Sequence, residues 1–179
     1  GQVTIGGINR NAECRDITIE NGANIRISNN DFDWVNSERV IRYVNGSILE
    51  VYRNWDNQNT VEMDLGNGEV SFRSITQGVA QGQMIRGLNR WGNIEINNHR
   101  GVRVMSGMQN IKGIVFQTRG NFSTSPNAMS NPNEAGLVTL LSNIRQTALI
   151  DAGNRNGSPV TDNNIIGNIT MQRFILRSN

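Results

Sequence analysis

The feature that most constrains the fold of this chain is an Asn-Gly pair that recurs between short segments of alternating apolar residues. The clearest case is the stretch 51–72, VYRNWDNQNTVEMDLGNGEVSF, in which alternating apolar residues both precede and follow Asn67-Gly68. A spacing of two places these residues on one face of a strand. Asn-Gly favours a two-residue hairpin turn, which would pair Leu65 with Val70. We therefore expect a β-hairpin whose apolar face is covered by other strands, from the same chain or from a neighbour.

The same pattern recurs along the first hundred residues. Asn-Gly pairs lie at 21–22 and 45–46, and the loop around His99 separates two further alternating segments. The turn centres are roughly 24, 21 and 32 residues apart, a loose repeat of structure more than of sequence. The sequence thus predicts an all-β fold of tandem short hairpins over residues 1–122.

The rest of the chain departs from this pattern. Residues 123–135 are polar and contain two of the three prolines, which predicts a linker or loop. In the segment 136–179, which we interpret as a C-terminal subdomain or cap, several apolar residues fall near helical spacing. They are Leu137, Leu140, Leu141, Ile144 and Ala148. This spacing favours a short helix near 132–148, with a pair of strands as the alternative.

Composition narrows the class of protein. The chain holds 28 Asn and 19 Gly but only 36% apolar residues, which is typical of many turns around a thin or elongated body. Arginines and the single lysine, Lys112, are spread along the chain and nearly balanced by 15 acidic residues, for a net charge of +2. Because this distribution forms no basic patch in the sequence, we predict no nucleic-acid partner.

Other sequence features exclude further classes. Cys14 is the only cysteine, so neither an intrachain disulfide nor a cysteine zinc cluster can form. No apolar run approaches the length that crosses a bilayer, which predicts no membrane insertion. Asp31 and Asp33 lack the ligand spacing of a calcium loop and are typical of an Asx turn. The sequence therefore predicts neither a metal nor a cofactor.

The candidates for catalysis are weak. His99 is the only histidine and lies in the polar loop NNHRG, which is typical of a solvated turn residue. Glu62, Asp64 and Glu69 flank the central turn, and two such carboxylates could act as acid and base in glycoside hydrolysis. They stand at the polar alternate positions of the strands, where charges face solvent. The sequence thus favours a protein that is not an enzyme.

The aromatic residues indicate carbohydrate binding. Trp34, Trp55 and Trp91 each lie at the edge of a predicted hairpin among hydrogen-bonding residues. An indole can stack on the C–H face of a sugar ring while neighbouring polar groups bind its hydroxyls. We predict a carbohydrate site that comprises Trp34, Trp55, Trp91, Tyr52, Arg53 and Asn54. The alternative is that each Trp plugs one end of a thin β core.

Two stretches resemble a known family. The segments VYRNWDNQNTVEMDLGNGEVSFRS and GLNRWGNIEINNHRGVRVMSG are similar to the repeating unit of bacteriophage tail fibres and tailspikes. The resemblance implies an elongated, intertwined homotrimer in which neighbouring chains cover the apolar faces of the hairpins. It also implies a virion or extracellular attachment protein that binds a host cell-surface receptor, a polysaccharide or a protein, without altering it.

Two other interpretations stay open. Turns roughly 22 to 24 residues apart also suit the coils of a parallel β-solenoid, such as a polysaccharide-degrading enzyme. A self-contained β-sandwich subunit of a capsid, baseplate or pilus is the second alternative. The two-residue Asn-Gly turns with matched parity favour antiparallel hairpins over long parallel stacks.

Overall fold

The structure is a computed structural model that describes the backbone of residues 2–5, 12–13, 17–19, 24–27, 34–36, 41–43, 48–51, 54–57, 60, 62–73, 82–124, 136–143, 146–151 and 164–173, with side chains from residue 48 onward. Every regular element in these ranges is a β-strand, which confirms the all-β expectation. A single antiparallel bridge joins Ser142 and Thr147 outside the strands of this described part. The same ranges contain no helix that is long and apolar enough to cross a membrane.

The described strands are short. In chain order they are β1 (Gln2–Ile5), β2 (Ala12–Glu13), β3 (Ile17–Ile19), β4 (Asn24–Ile27), β5 (Trp34–Asn36), β6 (Ile41–Tyr43), β7 (Ile48–Val51), β8 (Trp55–Asn57), β9 (Met63–Asp64), β10 (Glu69–Arg73), β11 (Gln83–Arg86), β12 (Asn89–Trp91), β13 (Asn93–Asn97), β14 (Val102–Val104), β15 (Met108–Ile111), β16 (Ile114–Arg119), β17 (Phe122–Ser123), β18 (Leu137–Leu140), β19 (Leu149–Asp151), β20 (Ile165–Ile166) and β21 (Thr170–Met171).

These strands form three long parallel sheets. The first sheet has seven strands in the order β1-β4-β7-β10-β13-β16-β19, and the second has seven in the order β2-β5-β8-β11-β14-β17-β20. The third sheet has the order β21-β18-β15-β12-β9, and β3 and β6 form a separate parallel pair. Successive strands therefore visit the sheets in turn, and each set of three strands makes one coil of a parallel β-solenoid.

The coil length explains the repeat in the sequence. Ile48, Glu69 and Asn93 are register partners on neighbouring strands of the first sheet, so successive coils take 21 and 24 residues. Gly68 and Gly92 occupy the same corner on two of these coils, because a Cβ on Gly92 would lie 2.4 Å from the Gly68 carbonyl oxygen. Glycine is required where backbones approach this closely. The recurring glycines thus mark stacked corners.

The structure differs here from the predicted hairpins. The two arms of the central hairpin, β9 and β10, lie in different sheets. β9 pairs with β12, and β10 pairs with β7 and β13, all in parallel. Alternation with a period of two predicts a strand but is the same for antiparallel and parallel pairing. The apolar face is covered from within the chain, by the coils before and after it.

The C-terminal region also differs from its prediction. The helix predicted near 132–148 is wrong for the described residues 136–143, where Leu137–Leu140 forms β18. Val138 and Leu140 are buried whereas Leu137 is exposed, which is the alternation of a strand. The strands before and after the predicted linker belong to the same three sheets. The described C-terminal strands therefore extend the solenoid.

The interior is a stack of in-register apolar rows. Leu49, Val70, Ile94 and Val115 follow one another across the first sheet, and each is at most 1% exposed. Such rows bury each side chain against the same row one coil away, about 4.8 Å distant. Polar residues share this interior, and Gln109 is as buried as the aliphatic residues around it. The core is thus a narrow column that runs along the solenoid.

Candidate functional site

Trp55 and Trp91 lie in the interior of the solenoid. Both are 0% exposed, their ring centroids are 5.1 Å apart, and the Phe72 ring lies 6.0 Å from that of Trp91. The indole N–H groups donate to Asn89 Oδ1 and Gln109 Oε1, each at 3.0 Å. Neither indole face is open to a sugar in this structure. In this structure Trp55 and Trp91 therefore pack in the β core, which was the alternative to stacking on a sugar.

The other predicted carbohydrate-binding residues form no common surface in the described part. Trp34 lies in β5 as the register partner of Trp55, and its side chain lies outside the described residues. Tyr52 and Arg53 lie outside them as well. Asn54 is half-buried, and its Oδ1 accepts a hydrogen bond of 2.8 Å from the Met84 backbone N–H. Asn54 therefore links two neighbouring coils.

The outer face of the third sheet carries a strip of matched charges. Lys112 Nζ donates to Asp64 Oδ1 at 2.7 Å. Arg90 Nε lies 3.1 Å from Glu62 Oε1, but its N–H direction misses that oxygen, so the contact is an ion pair without a hydrogen bond. Asn110 Nδ2 donates to the second oxygen of Glu62. Two of the three carboxylates that the sequence offered for hydrolysis, Glu62 and Asp64, are thus held by basic partners.

A second polar cluster lies on the outer face of the first sheet. Glu95 is only 3% exposed, and it accepts hydrogen bonds from the hydroxyls of Ser71 and Thr118. The guanidinium of Arg73 reaches Glu50 Oε1 at 3.1 Å and Glu95 Oε2 at 3.5 Å. Glu50 and Glu95 lie on strands separated only by β10. This cluster places two carboxylates across one arginine.

Every acidic residue whose side chain is described makes at least one interaction. Each has an ion pair, a hydrogen bond or an electrostatic interaction, and they are Glu50, Asp56, Glu62, Asp64, Glu69, Glu95 and Asp151. The described residues hold no group of three or more His, Cys, Asp or Glu that could bind a metal ion. Cys14, Asp31 and Asp33 lie outside those residues.

A group of basic residues lies at the corner between the first and second sheets and on the strand β14 that follows it. We call His99, Arg100, Arg103 and Arg119 the basic corner. The three arginines are exposed and His99 is half-buried. Among the residues that the structure describes, no acidic side chain forms an ion pair with any of these arginines. The basic corner thus combines three arginines that are not paired with a described carboxylate, whereas Arg90 and Lys112 on the third sheet are paired.

Backbone stacking holds the basic corner together. Asn98 N–H donates to the Arg119 carbonyl at 3.0 Å, and Asn98 Oδ1 accepts from the Arg100 N–H at 2.9 Å. Gly120 adopts a φ of 88° against this turn, and a Cβ there would lie 1.9 Å from the Asn98 carbonyl oxygen. Only glycine fits that position. Arg100 and Arg119 are therefore fixed on adjacent coils.

The positive charge of the basic corner affects the pKa of His99. Partial burial, with the positive charges of Arg119 and Arg100, lowers the pKa of His99 below 6.5. The lowered pKa favours the neutral imidazole, so the positive charge of this cluster comes mainly from the arginines. Sequence reasoning missed this cluster because Arg100 and Arg119 are far apart along the chain. The coil length was the signal that could have found it.

Comparisons of the chain with protein-family models, with curated proteins and with solved structures give no match. The candidate sites therefore rest on the chemistry of the chain itself. In the described part, that chemistry consists of carboxylates with partners on two faces and of unmatched arginines at one corner.

Proposed function

We propose that this chain is a non-catalytic, receptor-binding structural segment of a virion or extracellular fibre, and that its receptor is a host cell-surface polysaccharide. The observation that supports this most directly is the stack of parallel coils. Its outer faces repeat side-chain positions about every 4.8 Å over several coils. A regular, extended surface suits an extended polymer, and repeated weak contacts along it add up to a useful affinity.

We also propose that the working form is a homotrimer, as the resemblance to tail fibres and tailspikes implies. Large apolar side chains are exposed in the later coils, and association of identical chains would cover them. They are Met108, Leu137, Leu149, Ile166 and Met171. Light scattering should then give a mass near three times the 19.9 kDa of one chain. A monomer would count against this part of the proposal.

A polysaccharide-degrading enzyme is the second candidate, and Glu50 with Glu95 is the observation that favours it. Hydrolysis of a glycosidic bond uses two carboxyl groups, of which one must hold a proton. Arg73 contacts both carboxylates, and two hydroxyls donate to Glu95. Because both carboxylates are held by these protein groups and Glu95 is buried, binding without cleavage is the better supported function.

The two candidates separate in one experiment. The chain is incubated with a panel of bacterial surface polysaccharides, and both retention of polymer and release of reducing ends are measured. Our proposal expects retention of at least one polysaccharide without reducing ends, and the same result for Glu50→Gln. Release of reducing ends that Glu50→Gln abolishes would establish the enzyme instead. No retention of any polysaccharide would refute the proposed function.

A further inference from the structure

In the described part of the chain, some basic side chains are paired with carboxylates and others are not. The cations Arg73, Arg90 and Lys112 each lie within 3.5 Å of a carboxylate oxygen. The arginines of the basic corner are exposed and form no such pair with the described acids. Three exposed arginines without a carboxylate partner thus lie on two neighbouring coils near this corner, whereas Arg173, which is also exposed and forms no such pair, follows β21 at the end of the third sheet. The basic corner is therefore the place where an anion from outside is most strongly attracted.

The basic corner spans more than one coil. Arg119 lies on the coil after that of Arg100, and the Asn98–Arg119 hydrogen bond fixes the two corners against each other. Arg103 projects from β14 on the exposed side of the second sheet, three residues after Arg100. An anion held by Arg100 thus has Arg119 about one strand spacing away, and Arg103 lies three residues further along the same coil. Such an arrangement suits a polymer that carries several negative groups better than a single small anion.

We propose that the basic corner binds an acidic polysaccharide, whose carboxylate groups pair with Arg100, Arg103 and Arg119. The inference rests on the proposed function and names the class of its ligand. Arginine forms bidentate hydrogen bonds with carboxylates, and its charge persists at all physiological pH values. His99, which is half-buried and precedes Arg100 in the chain, adds a hydrogen-bonding group for a sugar hydroxyl.

A nucleic acid is the competing polyanion, and the described surface favours it less. Proteins that bind single strands combine positive charge with exposed aromatic rings on which bases stack. Here Trp55, Trp91, Phe72 and Phe122 are each 0% exposed. The basic corner therefore offers charge and hydrogen bonds but, among the described residues, no fully exposed aromatic ring. Sugars with carboxylates match that chemistry, whereas the one described aromatic residue that is not buried, Phe116, is only partly exposed.

The test uses the full chain and three probes: polygalacturonate, neutral dextran and a single-stranded DNA oligonucleotide. Binding is measured by biolayer interferometry at several salt concentrations. We expect polygalacturonate to bind, with an affinity that falls as salt rises, and dextran not to bind. The double variant Arg100→Gln/Arg119→Gln should lose about tenfold in affinity for polygalacturonate.

The matched control is Arg90→Gln/Lys112→Gln, which removes the same charge from the third sheet, where both cations are paired. We expect its affinity for polygalacturonate to stay within about threefold of the parent. Equal losses in the two double variants would show an effect of net charge alone and would overturn the inference. Tighter binding of the oligonucleotide than of polygalacturonate would also overturn it.

The outcomes separate this inference from the proposed function. If the chain retains a neutral surface polysaccharide but not polygalacturonate, attachment stands and the acidic class is wrong. If it retains no polysaccharide of either kind, both are wrong. Because Arg100 and Arg119 are exposed, thermal unfolding of their double variant should match the parent, so that a loss of binding reports on the site.

Discussion

The sixth coil (β16, β17 and β18) and the seventh coil (β19, β20 and β21) contain the same register rows, but their side chains are buried to different extents. Leu140 on β18 is 0% exposed, whereas its partner Met171 on β21 is 53% exposed. Val115 on β16 is likewise fully buried, and its partner Ile150 on β19 is only half-buried. The strands β19, β20 and β21 stand at the ends of their sheets. Burial in this fold therefore depends on a coil at each side, and not on the side chain itself.

This difference indicates which coils contribute most to the stability of the solenoid. In a repeat fold, stability is approximately the sum of each coil and its interfaces with neighbours. Central coils have two interfaces, and the seventh coil has one in the described structure. A substitution should therefore cost most in the central coils and least in the seventh. Matched substitutions in both places test the comparison.

The largest effect should follow Trp91→Ala. The change removes a fully buried ring that contacts Trp55 and Phe72, so the free energy of unfolding should fall by about 3–5 kcal/mol. In a single, unassociated chain Met171→Ala, in the seventh coil, should change it by less than about 1 kcal/mol. Urea denaturation followed by circular dichroism measures both. Equal losses would mean that the seventh coil is covered as fully as the central coils.

Gly87→Ala should come next. Gly87 has a φ of 88°, and a Cβ there would lie 1.9 Å from the Asn57 carbonyl oxygen of the preceding coil. Strain and the clash together should cost more than about 2 kcal/mol of unfolding free energy. Gly167 in the seventh coil has a φ of 103°, and Gly167→Ala should cost only about 1 kcal/mol of strain. A smaller loss at Gly87 than at Gly167 in the same urea assay would contradict the close stacking of corners.

Gln109→Leu should have an intermediate effect. Gln109 Oε1 accepts from Trp91 Nε1 and Asn89 Nδ2, and both donors are buried. Loss of this acceptor should lower the unfolding free energy by about 1–3 kcal/mol. The control Gln172→Leu, at an exposed position next to β21, should stay within about 0.5 kcal/mol of the parent. A stabilised Gln109→Leu variant would show that the buried network is dispensable.

The smallest effect concerns pH. Partial burial and the charges of Arg119 and Arg100 depress the pKa of His99 in the folded chain below its ordinary value of 6.5. The unfolded chain then binds the proton more tightly, so stability falls as pH drops below about 6.5. Denaturation midpoints between pH 5 and 7 should show a shallow decline at low pH that His99→Gln reduces. An unchanged profile in that variant would assign the decline to other groups.

Much of the strand pattern was predictable from the sequence, and the pairing was not. Alternation placed strands near Ile94 and Val102, and both lie in strands. Pairing depends on whether a corner or a hairpin follows, and Asn67-Gly68 suits both. The glycine with a positive φ at this corner is Gly66 (65°) and not Gly68. The repeat of 21 to 24 residues was the better guide to pairing, because it is the length of a coil.

The sites were less predictable than the strands. Trp55 and Trp91 stand among polar neighbours in the sequence. In the structure one of these neighbours, Asn89 near Trp91, accepts the hydrogen bond of the Trp55 indole in the core. A local sequence cannot show which face of a coil points inward. Arg100 and Arg119 meet only because two corners stack. Such a cluster follows from the register, which single-sequence patterns leave undefined.

The most direct test of the parallel solenoid is a pair of cysteine cross-links in a Cys14→Ser background. Arg90→Cys/Asn110→Cys joins register partners of β12 and β15, about 4.8 Å apart between Cα atoms, which permits a disulfide. Glu62→Cys/Arg73→Cys joins positions that would face each other in a hairpin around Asn67-Gly68. Peptide mapping after mild oxidation should find the first disulfide within one chain and not the second. The second disulfide without the first would contradict the parallel stack and restore the hairpin.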